Sequence, residues 1–167
     1  MYRASRKPIR LPEYDYSQTG VYFITICTRD REPILSKIII RDDGSAFPCL
    51  NPAGHIVEKY MSLLSVKYPT ANIDRYIIMP DHVHLLLRLE LSHSRVVEFS
   101  PTLGNILGWF KYQTTKEINA ITEETGKHIW QRSYYDHIIR NDIDYLNIWQ
   151  YIDENPLRWI NRVQSIT

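Results

Sequence analysis

The spacing of apolar and polar residues changes period several times along the chain, and each change marks an element. Val21–Thr28 (VYFITICT) is β-branched and aromatic, which predicts a strand. Lys37–Arg41 (KIIIR) predicts a second, short one, and the Asp-Gly of RDDGS predicts a turn after it. Asn51 then precedes Pro52, a capping residue followed by the residue favoured at the first helical position. Ile56, Val57, Tyr60, Leu63 and Leu64 recur at 3-to-4 spacing, so a helix is expected to about Lys67, stopped by Pro69. Ile73–Met79 and Val83–Leu89 read as adjacent strands joined by the tight MPDH link.

The polar stretch Ser92–Pro101 predicts a loop. Pro101 opens a second helix to about Ile121 that carries Leu103, Ile106, Leu107, Phe110 and Ile118 on one stripe. A last strand is expected within Ile129–Ile139. Asn141 or Asp142 caps a third helix, Asp144–Glu154, which Asn155-Pro156 is expected to end. This order predicts an α+β fold, most simply a ferredoxin-like sandwich: an antiparallel sheet with helices packed on one face. No repeat or low-complexity tract interrupts it. Residues 1–18 read as a basic N-terminal arm and residues 19–167 as a single domain.

Composition narrows the function classes. With 167 residues, 44% hydrophobic and 23% charged, the chain is neither disordered nor fibrous and suits one core. No apolar run nears the roughly 20 residues that span a bilayer, and the N-terminus lacks an apolar signal region, so no membrane partner is expected. Cys27 and Cys49 form no disulfide framework, which predicts a reducing, cytoplasmic location. Twenty Lys and Arg against 19 Asp and Glu give a net charge of +1, too little for a sequence-blind DNA coat protein. Arg3, Arg6, Lys7 and Arg10 nevertheless put four cations in the first ten residues, either along DNA phosphates or as a solvated terminus.

Two constellations carry chemistry. In His82-Val83-His84, strand alternation puts both imidazoles on one face about 7 Å apart along the strand, where they can converge on one cation. An H-x-H is weak alone, since two histidines at a strand edge need no ligand, and neither Cys is spaced to complete a zinc site. On the last helix, Tyr145, Ile148, Trp149 and Ile152 form an apolar stripe, and Tyr151 and Asn155 lie one turn apart at its border. A phenol, with an ordinary pKa of about 10, attacks phosphorus poorly unless a cation polarises the phosphate. Two imidazoles and the Asn155 amide oxygen would suit Mg²⁺ or Mn²⁺. Most of the 12 tyrosines must serve packing.

MPDHVHLLL, HIWQRSYYDHIIRN and YLNIWQYIDENPLRW, with the opening TGVYFITICTRDREPIL, together resemble the single-tyrosine HUH transposases, and most closely their REP-associated branch. The resemblance runs from about Gly20 to Trp159 and implies that residues 19–167 are such a domain. It implies His82 and His84 as metal ligands, Asn155 as a third, and Tyr151 as the nucleophile. It also implies a ferredoxin-like fold, Mg²⁺ or Mn²⁺, and a single-stranded or hairpin DNA partner. In that family the tyrosine cleaves DNA, leaving a 5′-phosphotyrosine and a free 3′-OH that can later rejoin the strand. Both a monomer and a homodimer are compatible with it, as are a mobile element and a domesticated protein.

Other residues compete or assist. Tyr112, Tyr134 and Tyr135 are alternative nucleophiles, but Tyr112 is followed one turn on by Lys116, which would repel a metal. Lys111, Arg132 and Arg140 are phosphate contacts or surface charge, and Trp130 and His137 are site or packing residues. Trp109, Tyr134 and Tyr135 are base-stacking or core aromatics. Two different functions stay open: a non-catalytic, RRM-like module for single-stranded nucleic acid, against which the missing RNP1 run counts, and a metallohydrolase using His82 and His84 with water.

Overall fold

A computed structural model describes residues 19–90 and 101–164. The basic arm, with Arg3, Arg6, Lys7 and Arg10, lies outside the described residues, as does most of the expected loop at Ser92–Pro101. Strand β1 (Gly20–Cys27) leads through a short 3-10 turn into the hairpin β2 (Ser36–Ile40) and β3 (Ala46–Leu50). Helix α1 (Pro52–Lys67), strands β4 (Ala71–Ile78) and β5 (His82–Leu89), helix α2 (Leu103–Ile121), strand β6 (Tyr135–Ile139) and helix α3 (Asp142–Gln164) follow.

The main sheet has the order β4-β5-β1-β6 with every pair antiparallel. With α1 after β1 and α2 after β5, this is the expected ferredoxin-like α+β sandwich. β3 was not expected, because Pro48 in AFPCL argues against a strand; it survives in a two-stranded ribbon opposite Ile38. Gly44, with φ of +80°, turns that hairpin at the Asp-Gly signal.

Strand alternation gives the sheet two apolar faces. Tyr22, Ile24 and Ile26 of β1 and Val83, Leu85 and Leu87 of β5 pack with Ile56, Val57 and Leu64 of α1 and Ile106 and Phe110 of α2. Phe23 and Leu86 point the other way, onto Ile152 of α3, with Tyr145, Ile148 and Trp149 beside them. Helices on one face therefore describes α1 and α2; α3 covers the opposite face, because β1 and β5 are apolar on both sides. Among the described residues no helix is long and apolar enough to cross a membrane.

Two local features decide what reaches the site. Asn141 caps α3, its Oδ1 accepting from the Asp144 amide at 2.8 Å. The helix does not end at Asn155-Pro156 but runs through Pro156 to Gln164. A proline there removes one N–H and its bond to the Ile152 carbonyl. Ile152, Asn155 and Pro156 are all buried, so packing against the sheet outweighs that loss.

Helix α1 lies so close to the β1–β2 connection that a Cβ on Gly54 would sit 2.1 Å from the Leu35 carbonyl oxygen. That oxygen already accepts from the Asn51 amide at 2.9 Å. Gly54→Ala is expected to cost about 1–3 kcal/mol or more, seen as a lower urea midpoint. An unchanged midpoint would show that the helix can simply move away.

Candidate active site

The face covered by α3 carries every second residue of the central strands. In the β1–β5 register Cys27 faces His82 and Thr25 faces His84, at the end of the sheet where β1 stops and β5 begins. A cavity of about 410 Å³ opens there between the strand ends and the C-terminal half of α3. His82, His84, Tyr151 and Asn155 all line it.

The two histidines are held by their rear nitrogens. Asp81 Oδ1 accepts from His82 Nδ1, and Thr25 Oγ1 lies 2.8 Å from His84 Nδ1. The Nε2 atoms are left to face each other at 3.0 Å. Burial keeps the His84 imidazole well below its usual pKa, reinforced by the charges of His82 and Arg31, so it is neutral and able to donate a lone pair. Asp81 is only 4% exposed. Burial pushes its carboxyl pKa up, but the His82 hydrogen bond and the charges of His82, Arg31 and Arg162 outweigh this and hold it below the usual range. Its Oδ2 also pairs with Arg31 at 3.5 Å.

Helix α3 supplies the opposite wall. The Tyr151 ring is 5.3 Å from the His84 ring and meets Phe23 edge-on at 5.8 Å. One turn later Asn155 is 7% exposed and its amide has no hydrogen-bond partner among the described residues. Its amide borders the cavity, within reach of whatever enters there.

The two imidazoles could hold a divalent cation between them. Two adjacent ligands of an octahedral ion with bonds of about 2.1 Å stand about 3.0 Å apart, the spacing of the two Nε2 atoms. Among the described residues no group of three or more His, Cys, Asp or Glu surrounds one point. Asn155 lines the same cavity, so two imidazoles and an amide are the groups there that could hold a cation, with room for oxygens of a ligand.

The structure brings His82, His84, Tyr151 and Asn155 together but places Lys111 and Arg132 elsewhere. They share a second cleft of about 400 Å³ with Tyr112. Lys111 Nζ donates to the backbone carbonyls of Gln131 (2.9 Å) and Ser133 (3.0 Å), while Arg132 is exposed. Trp130 is a core residue that donates to Thr114 Oγ1 at 2.8 Å, and His137 pairs with Asp144 at 2.9 Å. Trp109 packs on Tyr60 and Tyr68, whereas Tyr135 stands exposed at the cavity rim.

Sequence reasoning missed Arg31, Arg158, Trp159 and Arg162, which also line the cavity. Arg158 and Arg162 follow Tyr151 at i+7 and i+11, so helical spacing finds them once α3 is carried past Pro156.

Comparisons with known proteins bear on the family and the fold. A family model described as "Transposase IS200 like" matches residues 18–155. An uncharacterised protein of Haemophilus influenzae is 33% identical over 168 residues, covering 92% of this chain and 89% of its own. A second protein of that organism, named as a candidate REP-associated tyrosine transposase, is 28% identical over 86% of this chain and 74% of its own. Among solved structures, a REP-associated tyrosine transposase bound to a REP hairpin superposes with a TM-score of 0.63 at 21% identity, over 89% of this chain and 74% of that one. A candidate transposase from Deinococcus radiodurans gives 0.50 at 16% identity, over 87% and 95%. These two structures share the fold. The sequence match over most of the chain carries the assignment: this protein belongs to the IS200-like transposase family.

Proposed function

We propose that this transposase cleaves and rejoins single-stranded or hairpin DNA, with Tyr151 as nucleophile and a divalent cation at His82, His84 and Asn155. The observation that supports it best is the meeting of a phenol, an unpartnered carboxamide and two Nε2 atoms at one cavity. The substrate class follows the relative named for REP-associated transposases and the fold neighbour bound to a REP hairpin.

In this reaction Tyr151 Oη forms a bond to phosphorus as the bond from phosphorus to the 3′ oxygen breaks. The phenol proton leaves to solvent, and the 3′ oxygen takes one up. The resulting 5′-phosphotyrosine is still a phosphodiester, so attack by a 3′-OH restores the DNA strand and frees Tyr151 without ATP. Mg²⁺ or Mn²⁺ bound by the three donors would offset the charge that builds on the phosphate oxygens. Phe23 and the His84 ring fix the plane of the nucleophile, and the sheet holds both histidines in one orientation. Arg132, exposed on the second cleft, is assigned to DNA further from the reacting phosphate; Lys111 braces the segment that carries it. An RRM-like use of the sheet is disfavoured, since helices cover both of its faces.

The test is incubation with labelled hairpin oligonucleotides from the flanks of the gene, with and without Mg²⁺ or Mn²⁺. A metal-dependent, SDS-resistant adduct is expected. Release of a free phosphate product without any adduct would favour the metallohydrolase. Binding alone, with neither product, would favour the non-catalytic module.

Asp81 is assigned the role of orienting His82 through Nδ1. Asp81→Asn is expected to weaken Mn²⁺ binding, measured by calorimetry, about 10- to 100-fold. Unchanged affinity would remove Asp81 from the site.

A further inference from the structure

We propose that the C-terminal half of α3, with Arg31 opposite, is a phosphate track that holds the DNA strand on both sides of the reacting phosphodiester. This inference rests on the proposed DNA reaction. It starts from one stripe of the helix, where Tyr151, Asn155, Arg158 and Arg162 recur at i, i+4, i+7 and i+11 and all four line the cavity. Nucleophile, metal-binding amide and two guanidiniums therefore stand in sequence along one rigid element. Arg158 and Arg162 are four residues apart, about 6 Å along the axis, comparable with one nucleotide step of an extended strand.

The environment of each arginine suits an anion. No Asp or Glu is among the described residues lining the cavity. Arg158 lies over the Tyr151 ring with its Cζ at 5.4 Å, beside the nucleophile itself. Its tie to Glu154, at 2.8 Å, is an exposed i,i+4 pair of the kind that contributes little, so a phosphate can take it over. Arg162 stacks on Trp159 at 5.1 Å, and Trp159 in turn lies 6.1 Å from the His82 ring. Arg31 is oriented across the cavity by buried Asp81. These contacts hold three guanidiniums around one opening. They also explain how a chain with net charge +1 can attract DNA: the positive charge is concentrated where the strand lies and balanced elsewhere.

The experiment measures the affinity of the full chain for a labelled single-stranded oligonucleotide as a function of salt, in a Tyr151→Phe background that prevents covalent capture. Removing one arginine (Arg158→Ala, Arg162→Ala or Arg31→Ala) is expected to weaken binding about tenfold. It should also lower the slope of log affinity against log salt by about 0.7, and Arg158→Ala with Arg162→Ala together by about 1.4. Arg158→Lys with Arg162→Lys keeps the slope, and Arg41→Ala, on the β2–β3 turn outside the cavity, leaves it unchanged. An unchanged slope in the double variant overturns the track, even if Tyr151→Phe abolishes the adduct and the nucleophile stands. A reduced slope supports the track even if Tyr151→Phe still forms adducts and the nucleophile assignment fails.

Discussion

Tyr151→Phe is expected to abolish covalent attachment to DNA, lowering the rate on the order of 10⁴- to 10⁶-fold, as loss of a nucleophile does elsewhere. The substitution removes one oxygen and keeps the ring. The edge contact with Phe23 and the approach to His84 are ring contacts, so the fold and the cavity should persist. Among the described residues the Tyr151 hydroxyl makes no hydrogen bond, so deleting it strands no partner. DNA affinity should therefore stay close to wild type while the SDS-resistant product disappears. Persistent adduct would move the nucleophile to another tyrosine, with Tyr135 at the cavity rim the first to examine.

The second large effect is expected at the histidines. His84→Ala removes one of two facing Nε2 atoms and frees Thr25 Oγ1 from its 2.8 Å contact. Adduct formation should fall on the order of 10³-fold, and Mn²⁺ binding should be lost with it. Because His84 is buried against Phe23, the truncation also leaves a void and costs some stability. His84→Gln, which keeps most of the volume, separates the two effects: it should fold like wild type and still lack metal-stimulated cleavage. Wild-type rates in the presence of a chelator would contradict the metal assignment for all three donors.

Much of this architecture was legible in the order of residues because it follows from period. Alternation along HVHLLLRL placed His82 and His84 on one side, and the register with β1 puts them opposite Cys27 and Thr25 on that side. The stripe of Tyr145, Ile148, Trp149 and Ile152 gave α3 the face it lays on the sheet, and Tyr151 and Asn155 line the cavity beside it. What period cannot report is which side of a sheet a helix takes when both sides are apolar. Phe23 and Leu86 are as hydrophobic as Ile24 and Leu85, so α3 could be placed only by the fold.

Pro156 hid more. A helix that stops at Asn155 has no Arg158 or Arg162 to offer, and the positive side of the cavity vanishes from view. Local propensity argued for the stop, and burial of Ile152 and Pro156 overrode it. Lys111 shows the converse limit. A lysine on the second helix reads as a phosphate contact or as surface charge, yet its ammonium reaches the carbonyls of residues 131–133, a partner set that no side-chain pattern announces.

One phenol, Tyr151, is expected to become joined to DNA. The most direct measurement is peptide mass mapping of the adduct formed with a hairpin oligonucleotide and Mn²⁺, after digestion of both protein and DNA. A 5′-nucleotide phosphate is expected on the peptide that contains Tyr151 and on no other tyrosine. A nucleotide on Tyr112, Tyr134 or Tyr135, or attachment through a 3′ phosphate, would contradict it.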